Sequence, residues 1–93
     1  MASRITSYVV STSCTSGQPF DITVNYESTT GGDLALSVDD GFTVGPPTRP
    51  LLASKAGSET FPITITRGTA TSRGCTLRLE FGNTPKPRID EVK

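Results

Sequence analysis

The chain has no histidine and no tryptophan, only two cysteines, and no surplus of charge: nine basic residues stand against nine acidic ones in 93. Each shortage excludes something. Without histidine, the usual base for a serine or cysteine nucleophile is missing. Two thiols with no histidine and no Cys-x-x-Cys fall short of a zinc set. A nucleic-acid binder displaces counterions with a basic excess, and this chain has none to offer. A polybasic membrane anchor is excluded on the same ground. No apolar run approaches the roughly 18 residues of a spanning helix, so no membrane insertion is expected. Helix formers are scarce as well. Leu51-Leu-Ala-Ser-Lys-Ala56 is the one helix-compatible patch. It is too short to hold a helix alone, and it reads as a short strand leading into a turn at Gly57.

What remains is β-branched and hydroxyl-rich sequence, with nine Gly and seven Pro punctuating it. Threonine favours strands, and Gly and Pro favour the turns between them. Cys75-Thr-Leu-Arg-Leu-Glu-Phe81 puts Cys75, Leu77, Leu79 and Phe81 at alternate positions, hence on one face of a strand. Phe20, Ile22, Val24 and Tyr26 alternate in the same way, as do Leu34, Leu36 and Val38, and Phe61, Ile63 and Ile65. Residues 4–10 are strand-like with broken alternation. Tyr8, Val9 and Val10 run together, which suits an edge strand with a bulge or one that switches sheets. Asp39-Asp-Gly41 is a tight turn followed by the short strand Phe42–Val44. Pro46, Pro47 and Pro50 make the stretch 45–50 a crossover, since proline lacks the ladder donor. Pro62 points to an edge or a strand start. Residues 67–74 and 82–87 are loops, and 89–92 is the last strand.

About seven short strands at regular spacing, with no helix between them, predict an all-β immunoglobulin-like β-sandwich. Residues 1–93 form a single domain. Met1-Ala-Ser-Arg enters strand-like sequence with no apolar leader, and the chain stops within an apparent strand at Lys93. Both features suit a domain excised from a longer chain. The expected core is Phe20, Ile22, Val24, Leu34, Leu36, Val38, Phe61, Ile63, Ile65, Leu77, Leu79 and Phe81.

Cys14 and Cys75 leave two readings. One is a disulfide tying the N-terminal edge to the core, worth about 4 kcal/mol in the chain-entropy picture. The other is a pair of buried free thiols. The disulfide is the expectation, since Cys75 shares a face with Leu77 and Leu79. Antibody-type domains place the first cysteine inside the second strand with a core tryptophan nearby. Cys14 precedes that strand and tryptophan is absent, so that subfamily is excluded.

Gly31-Gly-Asp-Leu-Ala-Leu-Ser-Val-Asp39 and Ala56-Gly-Ser-Glu-Thr-Phe-Pro-Ile-Thr-Ile-Thr66 resemble two successive segments of bacterial immunoglobulin-like repeats of secreted and cell-surface proteins. The two cysteines and the long crossover at 45–50 depart from that pattern. The resemblance implies a noncatalytic spacer or adhesion module and brings no functional residue with it.

Candidate sites are few. Asp39-Asp40 and Asp90-Glu91 are adjacent in sequence, so each pair splits to opposite faces of a strand and neither converges on one bond. Asp33, Asp39 and Asp40 are too few for Ca²⁺, which takes six or more oxygens, and they read as turn formers. Gly31-Gly32 and Gly82 lack the spacing and lysine of a phosphate loop. Tyr8 is the one tyrosine free for a sugar platform, because Tyr26 continues a core-facing series. Arg67-Gly68-Thr69 lacks the aspartate of an integrin-type tripeptide. Arg67, Arg73 and Arg78 form at most a local basic spot.

The expectation is therefore a noncatalytic structural or interaction module of a larger extracellular or cell-surface protein. It uses no cofactor and no metal, stays monomeric as an isolated domain, and contacts a protein or glycan partner through loops or by strand addition. A carbohydrate-binding module and a capsid, tail or fibre component are the alternatives.

Overall fold

The β-branched sequence folds into strands alone: a computed structural model describes residues 3–93, and these contain no helix. Met1 and Ala2 lie outside the described residues. In chain order the strands are β1 (Ser3–Val9), β2 (Ser13–Cys14), β3 (Pro19–Ser28), β4 (Gly32–Ser37), β5 (Phe42–Gly45), β6 (Thr48–Leu51), β7 (Ser54–Arg67), β8 (Cys75–Thr76), β9 (Arg78–Glu80), β10 (Arg88–Ile89) and β11 (Glu91–Val92).

Four strands form an antiparallel sheet in the order β1-β3-β7-β5. A second ladder runs β6-β4-β9, also antiparallel. β10 pairs antiparallel with β8, and β11 pairs parallel with β2. The shorter ladders join. Leu77, Leu79 and Phe81 donate their N–H groups to the carbonyls of Pro87, Pro85 and Asn83. This carries the β8–β10 pairing along β9, and the two prolines serve there as acceptors only, which is all that proline can do.

Alternation decides which side chains go inside. On β3, Ile22, Val24 and Tyr26 are buried, and on β7 so are Phe61, Ile63 and Ile65. Leu34 and Leu36 of β4, Leu79 of β9, Leu77, and Ile89 and Val92 near the C-terminus join them in one core cluster. Each such side chain contributes about 1.5–3 kcal/mol by leaving water. Phe20 and Val38, expected in the core, are half-buried and pack against it.

β1 carries the irregularity that its sequence suggests. A bulge lies between Ile5 and Ser7, and the chain then leaves β3 and pairs β2 with β11 in another ladder. Two other expectations need correction. Gly57 is no turn: β7 runs straight through it, opposite Tyr26. The Tyr26 ring lies where a Cβ on residue 57 would sit. Glycine here admits an aromatic ring rather than bending the chain. The stretch 45–50 is only partly a crossover. Pro46 and Pro47 divert the chain out of the first sheet, but Thr48–Leu51 is strand β6, with Pro50 inside it.

Candidate functional site

The turn after β4 and the loop after β7 meet at one end of the molecule. Gly68 donates its N–H to the Gly41 carbonyl at 2.8 Å, and Phe42 donates to the Asp39 carbonyl at 3.1 Å. Gly41 has φ +89°, and a Cβ there would strike Ala70. Both the dihedral and the close approach call for glycine. An open cleft of ≈ 400 Å³ lies between the loops, with Asp39, Asp40, Thr69, Thr71, Ser72 and Arg88 on its walls.

Asp39 is the best-anchored polar group of this cleft. Its Oδ2 accepts the Thr76 N–H at 2.9 Å and its Oδ1 accepts from Arg78 Nη1 at 3.0 Å. The peptide hydrogen bond, and then the guanidinium, hold the Asp39 carboxyl below the usual carboxylate range. Arg78 also donates to the Ser37 hydroxyl and the Val38 carbonyl. Arg78 is thus a clamp on residues 37–39. The Ser72 hydroxyl donates to the Gly74 carbonyl, within its own turn. This arrangement offers hydrogen bonds to a polar partner. Among the described residues, the Ser72 hydroxyl and the Asp39 carboxylate are bonded to other partners and not to each other.

The sequence candidates do not converge. Asp33 lies at the far end of β4, opposite Pro50, six residues before Asp39 and so about 20 Å along the strand. Among the described residues no three His, Cys, Asp or Glu side chains are grouped to hold a metal ion. Tyr8 is exposed on β1, whereas Tyr26 is buried, donates its hydroxyl to the Leu52 carbonyl, and packs edge-on against Phe81 at 5.5 Å.

The disulfide expected between Cys14 and Cys75 is not formed: both are free, buried thiols. The topology explains it. Cys14 lies opposite Val92 and Cys75 opposite Ile89, so the C-terminal segment runs between their strands. Strands separated by one neighbour lie about 9–10 Å apart, beyond the ~7 Å that a bridge allows between Cα atoms. Burial, with the Asp39 charge and the neighbouring Cys14 adding to it, pushes the Cys75 thiol up to about 11. Burial raises Cys14 as well.

Two groupings had no sequence signal. Asn83 sits in a loop whose sequence says only that the chain turns, yet its side chain bonds to Ile5. Arg49, within the proline-rich stretch, places its guanidinium 5.0 Å from the Phe61 ring centre and pairs with Glu59 at 3.1 Å. No family model, curated protein or solved structure matches this chain.

Proposed function

We propose that the chain is a noncatalytic structural and interaction module of a larger extracellular or cell-surface protein, built as an immunoglobulin-like two-layer sandwich. The ladders β1-β3-β7-β5 and β6-β4-β9 share one core, and the chain passes between them after Ser28, Ser37, Gly45 and Leu51, which supports the two-layer reading. One observation carries the function. Ser3 lies opposite Ser28 at one end of the sheet, while Lys93 bonds to Cys14 and Ser16 beside the other end, next to Arg67. The Cα extents are 40 × 19 × 18 Å. The ten residues of β3 alone span about 33 Å at ~3.3 Å each, so the strands follow the long axis. A chain that enters at one pole and leaves at the other spaces its neighbours and passes tension lengthwise.

Tension on Ser3 and Lys93 pulls β2 and β11 in opposite senses. The bonds Asp90 N–H to Thr12 O and Lys93 N–H to Cys14 O then resist in shear, together. Single-molecule pulling tests this. Attachment at residues 3 and 93 should need a clearly higher unfolding force than attachment at 3 and 28, which peels β1 from β3 one bond at a time. Equal forces would remove the mechanical reading. Free buried thiols do not conflict with an oxidising setting, because buried, high-pKa thiols are inert.

The carbohydrate-binding alternative has less support. Of four Phe and two Tyr, only Tyr8 is exposed, and a sugar platform needs accessible aromatic faces.

A further inference from the structure

In an antiparallel ladder a residue's N–H and C=O point to the same side, and successive residues alternate sides. This fixes what each open edge presents. Gly68 donates to Gly41 on the β5 side, so the even-numbered residues of β7 face β5. β5 ends at Gly45, opposite Thr64. The next even residue, Pro62, therefore faces an unpaired edge, and its missing N–H costs no ladder bond. On β6, the Pro47 carbonyl accepts from Leu36, so odd-numbered residues face β4 and Pro50 faces outward. The β7 edge beyond β5 and the β6 edge thus each carry a proline at an outward position, a device that blunts strand addition.

β1 is different. Because even residues of β7 face β5, its odd residues face β3, and the even residues of β3 answer them. Thr23 and Asn25 then face β1, opposite Val9 and Ser7. Tyr8, between those two, faces outward. The first half of this edge is covered, since Asn83 takes both the N–H and the carbonyl of Ile5. The second half has no such cover. Thr6, Ser7, Tyr8 and Val9 are all exposed, Val9 at 68%. No proline and no charge lies between Ile5 and Gln18.

We infer that the edge of β1 around Tyr8 is a self-association surface that pairs antiparallel with the same edge of a second copy. The segment is its own complement. With the two Tyr8 residues opposite each other, each peptide donates to and accepts from the other. Ser7 then meets the second copy's Val9 on one face, and the tyrosine rings adjoin on the other. No like charges oppose. An aromatic cross-strand pair and two β-branched contacts are favourable at such positions. The strip is short, well under the area of a standard interface, so association is weak and concentration-dependent. In dilute solution the chain is a monomer.

Sedimentation velocity from about 10 µM to about 1 mM tests this, a range chosen for a sub-standard interface. The expected result is a rising dimer fraction, with slower amide exchange at Tyr8 as concentration increases. Tyr8→Lys should weaken the dimer at least about tenfold by opposing two charges. Tyr8→Pro removes only an outward N–H, should leave the β3 ladder intact, and should abolish the dimer. Leu52→Lys, at the exposed residue beyond β6, should change nothing. A monomer at every concentration overturns the inference, and so does a dimer that survives both Tyr8 variants in folded form.

Discussion

The side chain of Asn83 stands beside Ile5 in place of a strand. Its Oδ1 accepts the Ile5 N–H at 2.8 Å, and its Nδ2 donates to the Ile5 carbonyl at 2.9 Å. A carboxamide has the same donor and acceptor as a peptide, so it completes the edge of β1 where no strand continues. Gly82 makes the approach possible: its φ is +84°, and any Cβ there would collide with the Ser3 carbonyl.

Replacing Asn83 by alanine leaves both Ile5 groups half-buried and unbonded. The expected loss is about 1–3 kcal/mol, the usual penalty for unsatisfied partners. Asn83→Asp keeps the acceptor but loses the donor at neutral pH, and should recover part of the loss once the carboxyl is protonated. Urea titrations of both variants at neutral and acid pH check this. Equal stability of wild type and alanine variant would show that the pair contributes nothing.

Gly57→Ala puts a methyl group into the Tyr26 ring. Tyr26 cannot move freely, because its hydroxyl bonds to Leu52 and its ring packs on Phe81. Overpacking of this kind costs roughly 1–3 kcal/mol. The double variant Gly57→Ala with Tyr26→Leu should lose less than the sum of the two single losses, since the clash is then gone. Full additivity would mean that the two residues do not press on each other.

Asp39 predicts an acid limb of stability. Its folded pKa is depressed by the Thr76 N–H and by Arg78, against an unfolded value of about 3.9. The stabilisation is therefore complete above about pH 4 and is lost as pH falls through the lower folded pKa. The side chain is 41% exposed, so solvent screening keeps the effect small. Asp39→Asn should be less stable than wild type at pH 7, with the gap closing below about pH 4. A gap that stays constant down to about pH 2 would locate the acid sensitivity elsewhere.

The thiols give a chemical test. In the folded protein at pH 7, Cys14 and Cys75 should react slowly with a thiol reagent, because both are buried and Cys75 is pushed up to about 11. After denaturation without reductant, both should react at once. Added reductant should leave the melting temperature unchanged. Absence of reactive thiols in the denatured protein would mean that the two had become bridged.

The alternating runs around Val24, Leu36, Ile63 and Leu79 are legible in the sequence because a half-buried strand repeats every two residues, and neither a helix nor a loop does so. All four residues are buried as that period requires, while Phe20 and Val38, at the ends of their runs, are only half covered. Ile5, Phe42, Leu51, Ile89 and Val92 are core residues that the pattern does not reveal. Around none of them do apolar residues recur at three successive alternate positions, so the sequence shows no period of two there. Gly57 misleads because glycine usually marks a turn, and only the facing Tyr26 gives it another purpose. The candidate site is less legible still. Arg78 and Asp39 are 39 residues apart in sequence, and nothing local to either names the other.

The parallel pair of β2 and β11 joins Ser13 to Glu91 and Cys14 to Val92, almost the whole length of the chain apart. On the ribosome, therefore, β2 has no partner strand until Lys93 has left the exit tunnel. Until then Cys14 is exposed to whatever waits at the tunnel mouth. Synthesis of this fold ends in one late closure, not in a series of finished parts, and a pause just before residue 90 is where a chaperone would have the most to hold.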